Sequence, residues 1–83
     1  MPDWSGIEQN SELWPYEQVA GVIENAIRTG ELAPGDRLPA QDRIAAEAGV
    51  SKHTVSAAIA LLRERGLVRT RPRLGTFVSS PPS

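Results

Sequence analysis

These 83 residues hold no cysteine, a single histidine and few aromatic side chains, 5% in all. Without cysteine there is no disulfide framework and no thiolate zinc site. One histidine cannot build a metal cage. No apolar run approaches the roughly 20 residues that a bilayer-spanning helix needs. The N-terminus has no basic stretch followed by an apolar one, so no secretion signal is read there. A cytoplasmic protein without membrane contact is expected. No nucleophile–base pair, phosphate-cradling loop or metal cluster stands out, so neither an enzyme nor a cofactor is expected. The length fits one small domain, which buries only about 60% of its unfolded surface.

A large net charge is also missing, since the total is −1. That total conceals a split. Residues 1–40 carry seven acids and two arginines, a balance of −5, whereas residues 41–83 carry seven bases and three acids, a balance of +4. Phosphate binding follows the local field rather than the sum, so the basic half matters most. Eight of the nine basic residues are arginine, whose planar fork suits phosphates and guanine edges. A GC-rich genome would produce the same arginine- and alanine-rich composition.

The most informative stretch runs from Ala45 to Ile59. Ile44 and Ala48 lie four apart and share a helix face. Gly49 follows, where a left-handed cap needs a residue without Cβ. Val50 can fold into the angle between two helices, and Ser51 can cap the second. Val55, Ala58, Ile59 and Leu62 then recur at helical spacing. This is the pattern of a helix-turn-helix whose second helix can enter a DNA major groove. A helical hairpin with no nucleic-acid role is the plainer reading.

Around this core, Trp14-Pro15 starts a helix marked by Tyr16, Val19, Ile23, Ala26 and Ile27 and closed by Gly30. Ala33-Pro34-Gly35-Asp36 reads as a turn. A short extra strand is expected near Arg37-Leu38-Pro39, pairing with a later one. A second helix is expected over residues 41–48 and a third from 52 to about 65. Alternation in Leu67-Val68-Arg69-Thr70-Arg71 and Gly75-Thr76-Phe77-Val78 predicts a β-hairpin, with Leu67 and Val68 in the core and Phe77 covering the helices. The fold class is mainly α with a small hairpin, a winged helix-turn-helix over residues 14–79. Residues 1–13 are expected to form a flexible arm, with Trp4 and Ile7 either packing back or not, and residues 80–83 a disordered tail.

Tyr16-Glu17-Gln18-Val19-Ala20, Leu32-Ala33-Pro34-Gly35-Asp36-Arg37-Leu38-Pro39, Gly49-Val50-Ser51-Lys52-His53-Thr54-Val55, Gly66-Leu67-Val68 and Gly75-Thr76-Phe77-Val78 together resemble the DNA-binding domain of GntR-type bacterial transcription regulators. The resemblance spans residues 14–79. It implies a winged helix-turn-helix that binds a palindromic operator as a homodimer. For such a DNA-binding regulator a nucleoid-associated place in the cytoplasm is expected, with repression by blocking polymerase the simplest outcome. It places base and phosphate contacts at Lys52, His53, Thr54 and Ser56, and the wing glycine at Gly75. This chain departs from the family's pattern. After Leu-Pro the family usually has Ser-Glu-Arg-Glu, but here Ala40-Gln41-Asp42-Arg43 puts an acid where a DNA-contacting arginine is usual and removes the capping box. Ser56 stands where arginine is frequent. Most members also carry a large C-terminal effector or dimerising domain, and no small-molecule effector site is evident in these residues.

Each candidate has a competing account. Lys52 gains nothing from a helix N-terminus, which hints at an external anion, though a solvated lysine is the plainer account. His53 lies off the apolar stripe, as a DNA contact or an exposed bystander. Thr54 either helps Ser51 cap the helix or meets a thymine methyl. Ser56 faces the same way as His53. Asp42 either complements its helix dipole or accepts from cytosine N4, with Gln41 a second base-contact candidate. Arg43 could restore the lost positive charge. Arg69, Arg71 and Arg73 alternate and would share one strand face, as wing contacts or as a charged edge that blocks aggregation. The rival to DNA binding is a winged-helix protein-interaction module that docks a basic partner on the acids of the first helix, Glu17, Glu24 and Glu31.

Overall fold

Pro15 opens the first helix, α1 (Pro15–Arg28), at the position where a missing backbone N–H costs nothing. The computed structural model describes residues 14–79. Helices α2 (Gln41–Ala48) and α3 (Lys52–Glu64) follow, then strands β1 (Val68–Arg71) and β2 (Gly75–Val78). The expected arm and tail lie outside the described residues. Trp14, at the edge, is 69% exposed and takes no part in the core.

Helical spacing decides what is buried. Val19 and Ile23 of α1, Ile44 and Ala48 of α2, and Val55, Ala58, Ile59 and Leu62 of α3 turn inward together. Ala45, Ala48 and Ala58 are small where the helices meet, so the backbones approach closely. Val68 and Val78 complete the cluster from the two strands. Each large buried side chain contributes roughly 1.5–3 kcal/mol, and those two valines fasten the hairpin to the helices.

The hairpin is antiparallel, with Val68 opposite Val78, Arg69 opposite Phe77, Thr70 opposite Thr76 and Arg71 opposite Gly75. The expected extra strand forms as a single bridge, Arg37 to Phe77, on the free side of β2. Gly35 N–H donates to Val78 O at 2.9 Å, Val78 N–H to Asp36 O at 2.8 Å and Leu38 N–H to Thr76 O at 2.8 Å. Pro39 has no N–H with which to extend the ladder. The turn before it forms as read: Asp36 N–H donates to Ala33 O at 3.0 Å, and the Asp36 carboxylate accepts from Ala33 N–H at 2.9 Å.

The expectation that Phe77 covers the helices is corrected by this register. Side chains alternate along a strand, and the core takes Val78. Phe77 therefore stands on the outer face, half-buried, between Arg69 on one side and Arg37 on the other.

Candidate nucleic-acid interface

The turn between α2 and α3 is built from three local devices. Gly49 takes φ +71°, the left-handed cap that its lack of Cβ permits, and its N–H and that of Val50 both donate to Ala45 O. Val50 is half-buried against the core cluster. Ser51 caps α3: its Oγ accepts from Thr54 N–H at 3.1 Å, and the two hydroxyls lie 2.9 Å apart. Thr54 thus joins the cap through its hydroxyl, the first of its two expected roles.

The first turn of α2 lies across the first turns of α3. Lys52 Nζ is 2.8 Å from Asp42 Oδ1, with both side chains largely exposed. The hydrogen bond to the Asp42 carboxylate and its charge hold the Lys52 ammonium above the usual 10.5. Beside this pair, Ser56 Oγ donates to Gln41 Oε1 at 2.7 Å. α2 has no side-chain cap at Ala40, in line with the missing capping box. His53 is exposed. Arg43 sits about 100° round the helix from Asp42 and pairs with Glu47 at 3.6 Å. It is the acid, not Arg43, that meets Lys52.

In the hairpin, Arg69 and Arg71 share the outer face of β1, as expected, and both are exposed. Arg73 does not continue that face. β1 stops at Arg71, and residues 71–74 form a turn closed by Leu74 N–H donating to Arg71 O at 3.0 Å. Pro72 takes the second position and Arg73 the third at φ +67°, the signature of a type II turn. Arginine here occupies a conformation that favours glycine, so it projects from the tip rather than from a strand face. Leu74 beside it is 52% exposed. Among the described residues, no acid pairs with Arg69, Arg71 or Arg73.

Gly75 has a structural duty. A Cβ there would lie 2.8 Å from Arg37 Nε, at a φ of +117°. Arg37 thus crosses the outer face against Gly75, beside Phe77, adding a fourth arginine to the wing. Only its place before Leu38-Pro39 in the extra strand could have flagged it in the sequence. Arg63 also reaches the wing, donating to Thr70 Oγ1 at 3.4 Å. On the opposite side of α3, Arg65 pairs with Glu24 of α1 at 3.6 Å.

Three helices, a capped turn between the second and third, and a basic hairpin anchored in the same core define a winged helix-turn-helix domain. The chain belongs to the gntR family of bacterial regulatory proteins, whose sequence pattern matches residues 15–78. It is similar to the HTH-type transcriptional regulator Rv1152 of Mycobacterium tuberculosis, 34% identical over 79 residues, covering 95% of this chain and 65% of that protein. It spans 30% and 27% of the length of two other relatives. Among solved structures, the GntR-family transcription factor YtrA from Sulfolobus acidocaldarius matches with a TM-score of 0.85 at 34% identity, over 92% of this chain and 80% of that one. The DNA-binding domain of AraR in complex with its operator ORX1 matches with a TM-score of 0.80 at 31% identity, over 90% and 89%.

Proposed function

We propose that this domain binds duplex DNA in a sequence-dependent way and acts as a transcription regulator, in the simplest case a repressor. The observation that carries the proposal is the likeness, over nearly the whole domain, to an AraR domain seated on its operator. In this reading α3 lies in the major groove with Lys52, His53, Thr54 and Ser56 nearest the bases, while Gln41, Asp42 and Arg43 flank them from α2. Arg69, Arg71, Arg73 and Gly75 bring the wing to the backbone or minor groove. Phosphate contacts position the domain and base contacts select the site. Two copies on a palindromic site would gain affinity through effective concentration. The domain, spanning residues 14–79, works in the cytoplasm at the nucleoid and needs no cofactor.

The test is titration of labelled duplex at several salt concentrations. Four to six phosphate contacts give a log–log slope of roughly −4 to −5. Binding indifferent to salt would overturn the proposal. Charge reversal at Arg71 and Arg73 should abolish retention on DNA. Unchanged retention together with loss of a protein partner would favour the interaction-module reading instead.

A further inference from the structure

The Asp42–Lys52 pair places an acid beside the expected path of the phosphates, where a carboxylate is otherwise a cost. Its two charged atoms stand 2.8 Å apart, and the side chains are 74% and 69% exposed. Lysine has three donors and a carboxylate about four acceptor sites. Each group therefore keeps free capacity while the pair stays intact. The neighbouring Ser56–Gln41 hydrogen bond joins the first turn of α2 to α3 beside the pair. The assembly offers a donor and an acceptor side by side, with no net charge to attract phosphate.

We propose that Asp42 and Lys52 act as one base-reading unit that senses which strand of a base pair carries the keto base; this rests on the DNA-binding proposal above. Across a G·C pair in the major groove, guanine O6 accepts and cytosine N4 donates. Those atoms are bonded to each other, so they lie about 2.9 Å apart, close to the separation within the ion pair. Lys52 donates to O6 while Asp42 accepts the outward hydrogen of N4. A T·A pair offers the same polarity, O4 accepting and N6 donating. Guanine adds N7 as a second acceptor on the lysine side, so G·C ranks first and T·A second. In the reversed pairs, C·G and A·T, the ammonium faces an amino group and the carboxylate faces a keto oxygen, and both are rejected.

The test is in-vitro selection from a random duplex pool with the wild-type protein, Asp42→Ala and Asp42→Asn. The wild type should enrich a site in which one position prefers the keto base on one strand by roughly ten-fold or more. Asp42→Ala should weaken that orientation preference to the share that Lys52 supplies alone through O6 and N7, keep the other preferences and bind unselected duplex more tightly. Asp42→Asn, which carries both a donor and an acceptor, should relieve the carboxylate's rejection of the reversed pair and likewise leave only the share that Lys52 supplies. A role confined to the helix dipole would leave the preferences of both variants unchanged, and a role confined to holding Lys52 would leave those of Asp42→Asn unchanged, since its amide oxygen still accepts from the ammonium. Either result would overturn the inference while leaving DNA binding intact. Absence of any enriched site for the wild type would overturn the DNA-binding proposal together with it.

Discussion

The α2–α3 junction and the hairpin carry similar kinds of side chain in opposite conditions. At the junction nearly every polar group already has a partner: Lys52 has Asp42, Ser56 has Gln41, and Thr54 has Ser51. On the hairpin Arg69, Arg71 and Arg73 have no acidic partner among the described residues. A group that is already paired exchanges one partner for another on binding, so its net gain depends on how well the new partner fits. An unpaired, solvated arginine meets any phosphate with equal gain. The junction is thus suited to discrimination and the wing to affinity. Charge follows the same division, since the Asp42–Lys52 pair is neutral and the wing is not.

The division assumes that both regions ride on one rigid body. Ile44 is fully buried and lies in the element that carries Asp42. Ile44→Ala should cost about 2–5 kcal/mol, a large part of the roughly 0.05–0.15 kcal/mol per residue that folds such a domain. Urea denaturation would read it as a lowered midpoint, with both kinds of DNA contact weakened together. If the wing's contribution survived while α2 melted, the hairpin would be an independent unit and the comparison would fail.

The next largest effect separates the regions. Arg71→Ala with Arg73→Ala should weaken binding by roughly ten-fold per lost phosphate contact at 0.1 M salt and flatten the salt slope by about 2. The selected sequence should stay the same. A changed sequence preference would mean that the wing reads bases as well, and the division of labour would need redrawing.

Ser51→Ala acts on the junction alone. Loss of the cap hydrogen bond to Thr54 N–H costs about 1 kcal/mol, which for a domain of this size lowers the melting temperature by about 4–8 °C. The salt slope should not move, because no phosphate-binding charge is removed. Thermal unfolding followed by circular dichroism, with the DNA titration beside it, separates the two effects.

Which parts were legible in the sequence follows the range of the interactions. The three helices, the Gly49 cap, the Ser51 cap and the turn at residues 33–36 depend on neighbours within five residues, and their residue types carry the signal. The outward face of Phe77 depends on strand register, where a shift of one residue exchanges the two faces. The Asp42–Lys52 and Gln41–Ser56 contacts depend on how α2 crosses α3, and no local pattern encodes that crossing. Arg73 was legible as a charge but not as a conformation, because the hairpin loop has to be counted before its left-handed position is known. Arg37 was not legible because its effect is felt at Gly75, far away along the chain.

The smallest expected effect tests the wing at its tip. Arg73 at φ +67° carries the penalty of a left-handed L-residue, about 1–2 kcal/mol. Glycine removes that penalty but loses more freedom on folding, about 0.5–1 kcal/mol. Arg73→Gly should therefore stabilise the domain by about 0.5–1 kcal/mol while weakening its hold on DNA. Arg73→Ala loses the same charge and keeps the left-handed strain, so it should show the weaker binding without the gain in stability. Only a difference between these two variants isolates the backbone from the guanidinium. If glycine proves no more stable than alanine, the tip carries no stored strain, and its arginine sits there at no conformational cost. If glycine is more stable and binds as well as the wild type, the arginine is idle and the affinity of the wing belongs to Arg69 and Arg71. The expected pairing of a more stable fold with a weaker grip would place Arg73 among positions where stability is given up for contact with a partner.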